Sequence, residues 1–371
     1  MNEKRTELLE GNTVGLMIKL SLPAIIGQAI VGLYPLVDSI FIGQLVGVVS
    51  MSAVSITAPF ILINNGIAVL VGMGSGSVLS RAIGAKDKDK VDKIMGNLII
   101  SILILSAFVM VLGTIFAPQL LKLGGAEGEL LDIGTRYLRI IYIGSFFVNF
   151  MQSANMIIRS EGRMVVAMAI MSGGALLNII LDPIFILMMG ERGTEGAAIA
   201  TVISQFAQAF ATFIYFIKFS PVVKFKRIGL FISIFKEMFA VGLSGAMMQI
   251  MFLIQMTVIY STIAGIGTYV DVALMGAAQR VMQFSFVPIW GMSQGFQPVV
   301  GTNYGAKEYD RVRKFTKVFI IGATVLSGFF FVIIQIFPQQ ILSLFITDQD
   351  IVSSGLTDFR IMFSVFFMVF L

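Results

Sequence analysis

Long apolar runs separated by short polar stretches recur along the whole chain. They fall near residues 15–44, 50–80, 94–117, 132–157, 165–190, 195–218, 237–264, 272–302, 315–337 and 354–371. Each is long enough to cross about 30 Å of hydrocarbon at about 1.5 Å per helical residue. Several exceed what a bilayer needs, so tilt or kinking is expected. Pro23, Pro35, Pro59, Pro183, Pro288 and Pro298 lie inside these runs. A membrane bundle accepts such prolines because neighbouring helices re-satisfy the freed backbone groups. The polar start, Met1 to Arg5, has no apolar core region and no small-residue cleavage site, so no cleaved signal peptide is expected.

Composition agrees with the pattern. Of 371 residues, 57% are hydrophobic and only 13% are charged, about half the charge of a soluble domain. Cysteine and histidine are both absent. That excludes disulfides, thiol nucleophiles, Cys/His metal sites and His-based triads. Proton chemistry, where there is any, falls to carboxylates. The run Gly72-Met73-Gly74-Ser75-Gly76 lacks a following Gly-Lys-Ser/Thr, so it predicts close helix approach and no nucleotide site. No enzyme activity and no cofactor are expected.

The net charge of +5 is unevenly spread. With the N-terminus in the cytoplasm, 20 of the 26 Lys and Arg fall on the inner side, five on the outer side, and Arg280 within a span. Such a bias is the positive-inside signature of a multi-pass protein of the cytoplasmic membrane. The basic loops are therefore read as topology signals and not as a nucleic-acid surface.

The chain also repeats itself. Gly84-Ala85-Lys86-Asp87 reads against Gly305-Ala306-Lys307-Glu308 at an offset of 221, and the same offset relates Gly74 to Gly295 and Arg139 to Arg360. This predicts an all-α polytopic fold of two six-helix lobes, related by a pseudo-two-fold axis along the membrane normal. The first lobe is residues 1–220, a cytoplasmic linker covers 221–236, and the second lobe occupies 237–371. At that offset a full second lobe would extend roughly 70 residues further, so the second lobe is read as truncated after its fourth helix.

Three ionisable residues lie within spans, Asp38, Asp182 and Arg280. Each costs at least about 2.5–3.5 kcal/mol at mid-bilayer and needs a reason to be there. Asp38 and Asp182 lie about eight residues before the outer ends of spans one and five, roughly 12 Å below the outer surface by helical rise. Asn178 is one turn deeper than Asp182 on the same helix face. Thr201, in span six, reaches a similar level, while counting places Asn155 nearer the inner end of span four. Two carboxylates with amide and hydroxyl oxygens suit a shared proton or a hard cation such as Na⁺. The alternative is that each Asp faces a small wet pocket or caps a broken helix. Arg280 either snorkels to the outer interface or lines a cavity with Gln279, Met282, Gln283, Phe284 and Trp290, a mixture suited to bulky organic cations.

Four segments together resemble the multidrug and toxic compound extrusion (MATE) family, in its bacterial drug-exporter branch. They are Tyr34-Pro35-Leu36-Val37-Asp38-Ser39-Ile40-Phe41-Ile42-Gly43, Asn178-Ile179-Ile180-Leu181-Asp182-Pro183, Gly196-Ala197-Ala198-Ile199-Ala200-Thr201, and the stretch from Gln297 to Lys307. The resemblance implies twelve helices, a V-shaped cleft, and export of small organic compounds driven by Na⁺ or H⁺. It implies that Asp38, Asn178, Asp182 and Thr201 form the cation or proton site, with Asn155 a neighbouring polar position. It also implies that helix 1 can bend at Pro23. Tyr34 joins the Arg280 group as a candidate for the substrate cavity. Where some relatives carry an acidic residue in helix 7, this chain has Gln249 and Gln255. A monomer in the lipid bilayer is expected. The rival readings are a lipid-linked precursor flippase of the same superfamily and a membrane-embedded aspartyl protease.

Overall fold

In hydrocarbon every backbone N–H and C=O must be satisfied within the protein, so long apolar runs become helices. The computed structural model describes residues 2–266, 269–346 and 349–366, and among these there is no strand. The helices are α1 (Asn2–Glu10), α2 (Thr13–Leu45), α3 (Val48–Ala85), α4 (Lys88–Leu123), α5 (Gly128–Ile143), α6 (Ser145–Ser160), α7 (Met164–Met189), α8 (Gly193–Ile214), α9 (Ile232–Ile266), α10 (Tyr269–Gly305), α11 (Tyr309–Ile336), α12 (Pro338–Ser343) and α13 (Gln349–Met362). The end of the tenth predicted run, residues 367–371, lies outside the described residues.

The surface is inverted relative to a water-soluble protein. Phe108, Leu187, Met188 and Val325 face outward, while Asn64, Ser106 and Asn149 are buried. Asn149 Nδ2 donates to Asn64 Oδ1 at 3.2 Å and to Ser106 Oγ at 2.9 Å, tying α6 to α3 and α4. Such polar bridges hold helices together where the hydrophobic effect cannot.

Two local features go beyond the sequence reading. The polar start folds as α1. Leu8 is buried, its carbonyl accepts from Asn303 Nδ2 at 3.1 Å, and Arg5 donates to the Gly84 carbonyl at 3.0 Å. The fourth predicted span is two helices, α5 and α6, bent by 52° at Gly144. Val202 of α8 occupies the space a side chain at Gly144 would need, so the glycine lets the span fold around α8. By contrast α2 runs unbroken through Pro23 and Pro35.

The repeat is visible in the backbone. Lys86 and Lys307, 221 residues apart, both adopt left-handed conformations (φ 59° and 65°). At both sites the same two bonds close the helix end, Lys86 N to Ile83 O with Asp87 N to Ala82 O, and Lys307 N to Tyr304 O with Glu308 N to Asn303 O. Where α3 crosses α10 the contact is reciprocal. A methyl on Gly84 would overlap the Thr302 carbonyl oxygen, and one on Gly305 would overlap the Arg81 carbonyl oxygen. Arg81 and Thr302 are themselves 221 apart, so this crossing sits on the pseudo-two-fold axis.

Contacts between the halves gather toward the face that carries α1, the α3–α4 and α10–α11 turns and the interlobe linker, called here the basic face. Gly74 packs on Met238, Gly242 on Leu70, Gly295 on Leu20 and Gly301 on Ser80. Arg81 and Lys90 share Glu237 of α9 at 3.2 and 2.9 Å. One apolar cluster runs through both halves here, from Leu20, Val71 and Ile94 to Met238, Val299 and Phe315. A separate cluster, including Leu274, Ile334 and Phe359, belongs to the second half alone.

Glu161, in the α6–α7 turn, anchors the linker. Its carboxylate accepts from Tyr215 Oη at 2.7 Å, from the Val223 amide at 2.8 Å and from Ser220 Oγ. Burial pushes the Glu161 carboxyl above its ordinary value, and these hydrogen bonds oppose that rise. A carboxyl raised on folding holds its proton more tightly in the folded chain, so its contribution to stability fades as pH rises through the raised value. Glu161→Ala strands three donors and is expected to cost about 2–4 kcal/mol. A thermal melt in detergent should show the lower Tm, and the decline of Tm with rising pH should flatten in the variant.

Candidate functional site

Helical spacing puts Asn178 and Asp182 one turn apart on one face of α7. Asn178 Nδ2 donates to Asp182 Oδ1 at 2.8 Å and reaches Thr201 Oγ1 of α8 at 3.4 Å. Gly196 brings α8 this close, since a side chain there would meet the Phe185 carbonyl one turn beyond Asp182. On the other side, Gly27 seats α2 against Met168 of α7. Further along α2, Asp38 comes within interaction distance of Asp182. The structure thus brings together Asp38, Asn178, Asp182 and Thr201, on three helices.

The cluster is buried and rich in acceptors. Asp38, Asn178 and Asp182 are 8%, 3% and 0% exposed. Asp38 Oδ1, Asn178 Oδ1 and Asp182 Oδ2 are all buried without a hydrogen-bond donor. Buried acceptors are almost always satisfied, so three orphans in one cluster ask for a positive partner. Among the described residues no three His, Cys, Asp or Glu gather as a divalent metal site would require. Two carboxylates with neutral amide and hydroxyl oxygens fit a proton or one small hard cation.

Tyr34 of α2 and Tyr137 of α5 lie within the electrostatic reach of both carboxylates. Tyr34 also lines a cavity of about 70 Å³ beside the cluster, with Gln152, Asn178, Thr201, Ser204, Gln205 and Gln208. The sequence reading missed Tyr137, Gln152 and the three α8 residues. Thr201, Ser204, Gln205 and Gln208 recur at i, i+3, i+4 and i+7, which is one helix face, so the stripe was there to be found. No comparable signal marks Tyr137.

Other candidates lie elsewhere. Asn155 is buried, and its Nδ2 donates to the Ala167 carbonyl at 2.8 Å. Ala167 is three turns from Asn178 along α7, so Asn155 joins α6 to the start of α7 and does not enter the cluster. The α10 group divides. Met282 packs in the apolar cluster of the second half, Gln279 is half-buried, and Arg280, Gln283, Phe284 and Trp290 are exposed. Gln283 shares a stripe with Val287, which faces Gly32 of α2, and with Gln294, which binds Arg159 of α6. That stripe looks across at the first half, but the structure does not bring the α10 group to the carboxylates.

A family model, MatE, matches residues 23–184 and 241–371, one stretch in each half of the chain. The chain belongs to the MatE family. Among its relatives, the multidrug export protein MepA of Staphylococcus aureus (strain MSSA476) is 30% identical over 338 residues, covering 91% of this chain and 74% of the relative. A crystal structure of a MATE protein in a bent conformation superposes with a TM-score of 0.93 at 28% identity, over all of this chain and 82% of that one. An outward-facing multidrug resistance MATE transporter of the MOP superfamily gives 0.91 at 28% identity, again over all of this chain and 83% of the other.

Proposed function

We propose that this chain is a cation-driven antiporter that exports amphipathic, often cationic, organic compounds across the cytoplasmic membrane. It is read as a transporter and not an enzyme, working as a monomer with its N-terminus and basic face in the cytoplasm. The observation that carries the proposal is the buried Asp38–Asp182 pair with its orphan oxygens, beside a polar cavity. Family membership and the export activity of the MepA relatives support it.

Na⁺ or H⁺ entering the cluster from outside neutralises charge that no cation among the described residues of the cluster balances. A ligand shifts a conformational equilibrium only by its differential affinity for the two states. Cation binding therefore has to favour an arrangement of α2, α7 and α8 that shrinks the neighbouring cavity and drives the compound out, and the coupling is reciprocal. On this reading, packing of the halves along the basic face fits an arrangement open to the outside. A lipid-linked precursor flippase is the alternative; against it stands that Arg280 is the one basic residue counted within a span of the sequence.

Proteoliposomes loaded with a fluorescent organic cation test the proposal. Transport is expected under an imposed Na⁺ gradient or an imposed pH gradient, and whichever supports it names the coupling ion. No transport under either gradient would overturn the reading.

A further inference from the structure

A second cavity, of about 110 Å³, lies far from the carboxylates. Leu70 of α3, Ile104 and Leu105 of α4, Leu230 of the linker, and Phe235 and Phe239 of α9 line it. Ile104, Leu230 and Phe239 are exposed, so the cavity opens sideways toward lipid instead of into the cleft. Its walls come from both halves, α3 and α4 on one side and the linker with α9 on the other.

The linker fixes its roof near the basic face. The Phe231 amide donates to Asn97 Oδ1 at 2.9 Å, and the Lys93 ammonium sits 5.3 Å from the centre of the Phe231 ring. Lys226 pairs with Asp92 at 3.1 Å and Arg227 with Asp89 at 2.8 Å. Asp89 is shared with Lys93, and Glu237 with Arg81 and Lys90. Three carboxylates therefore serve five cations at this rim. Lys224 and Lys236 are exposed and, among the described residues, no carboxylate pairs with either. Lys236 lies on the same α9 face as Ile232 and Phe239, directly along the helix from the groove. A greasy slot in the membrane side with surplus positive charge at its headgroup end is complementary to an anionic phospholipid.

We propose that this groove seats a stretch of one acyl chain of an anionic phospholipid of the phosphatidylglycerol type, with its phosphate held at Lys236. Because the walls belong to both halves, such a lipid wedges the interlobe seam and its occupancy follows the lobe arrangement.

The test uses the chain's single tryptophan economy. In a Trp290→Phe background, Ile104→Trp places one indole at the groove mouth. In nanodiscs doped with acyl-brominated lipid, phosphatidylglycerol is expected to reach half-maximal quenching at about one-fifth the mole fraction needed by phosphatidylcholine, the preference one surface lysine confers. Lys236→Gln should bring the two lipids together, while Arg313→Gln, an exposed charge on α11 outside the groove, should leave the preference intact. Glycerol 3-phosphate should not displace the quencher, and displacement would place the affinity in a free-phosphate site and overturn the acyl seat. Equal quenching by the two lipids, or equal loss in both charge variants, would also overturn the proposal. Native mass spectrometry without any tryptophan change gives an independent readout, in which Lys236→Gln retains one phosphatidylglycerol fewer than the parent chain.

Discussion

Asp38→Asn is expected to reduce efflux of a fluorescent organic cation to the level of vesicles without transporter, while the amount of protein in the membrane stays at the parent level. The amide keeps the size of the carboxylate but removes its charge. Folding tolerates this because Asp38 Oδ1 is already unpartnered, and the new amide N–H can donate to Asp182 Oδ2, which has no donor of its own. Transport does not, because one of the two negative charges that distinguish the loaded from the empty cluster has gone. Asp182→Asn is expected to behave alike, its bond from Asn178 surviving through the remaining amide oxygen. Thr201→Ala removes only a neutral ligand, worth about 1.4 kcal/mol or roughly tenfold in cation affinity. Dye efflux in everted vesicles, with an immunoblot of the membrane fraction, checks all three. Efflux by the Asp38 variant above half the parent rate would end the assignment of this cluster.

The cluster was legible because a charge inside a membrane is rare. With loops subtracted, Asp38 and Asp182 stood out at once, their depth followed from helical rise, and Asn178 followed from i, i+4 spacing. Counting also placed Asn155 correctly, nearer the inner end of span four, where it bonds to Ala167 at the start of α7; it was the resemblance that drew it toward the cluster. Depth along a helix does not report its bend, and the 52° break at Gly144 changes which neighbours α6 meets. Tyr137 escaped for a related reason. Flanked by Arg136 and Arg139, it reads as part of the outer end of its span, yet α5 turns it inward to 4% exposure beside the carboxylates. The α10 group was read from chemistry alone, and Met282 shows the weakness of that, since an apolar neighbour claimed it. The repeat was the most dependable signal, because a shared offset constrains many residues at once.

Gly242→Leu is expected to abolish export by a different route, leaving the carboxylate cluster intact. In this arrangement the two halves meet backbone to backbone along the basic face, and a side chain at Gly242 would overlap the Leu70 carbonyl oxygen of α3. A carbonyl held in a helix cannot swing aside as a flexible side chain can, so α9 and α3 have to part. Overpacking costs about 1–3 kcal/mol even where neighbours can yield, which lowers the closed population by about tenfold or more at the upper end. Gly265 is the control, because it sits on the same helix with nothing within 4 Å, so Gly265→Leu tests helix propensity and hydrophobicity without the clash. The chain has no cysteine, so spin labels go where they are placed. With Lys88→Cys on α4 and Lys314→Cys on α11, double electron–electron resonance should show a longer, broader distance in Gly242→Leu and the parent distance in Gly265→Leu. Cation binding should survive in both, because the carboxylates lie far from this seam. A Gly242 variant that exports at the parent rate would mean that the lobes never close as tightly as they do here. Loss of cation binding together with transport would instead mean that the two ends of the cleft are not independent, and that closure at the basic face is itself part of how the carboxylates are assembled.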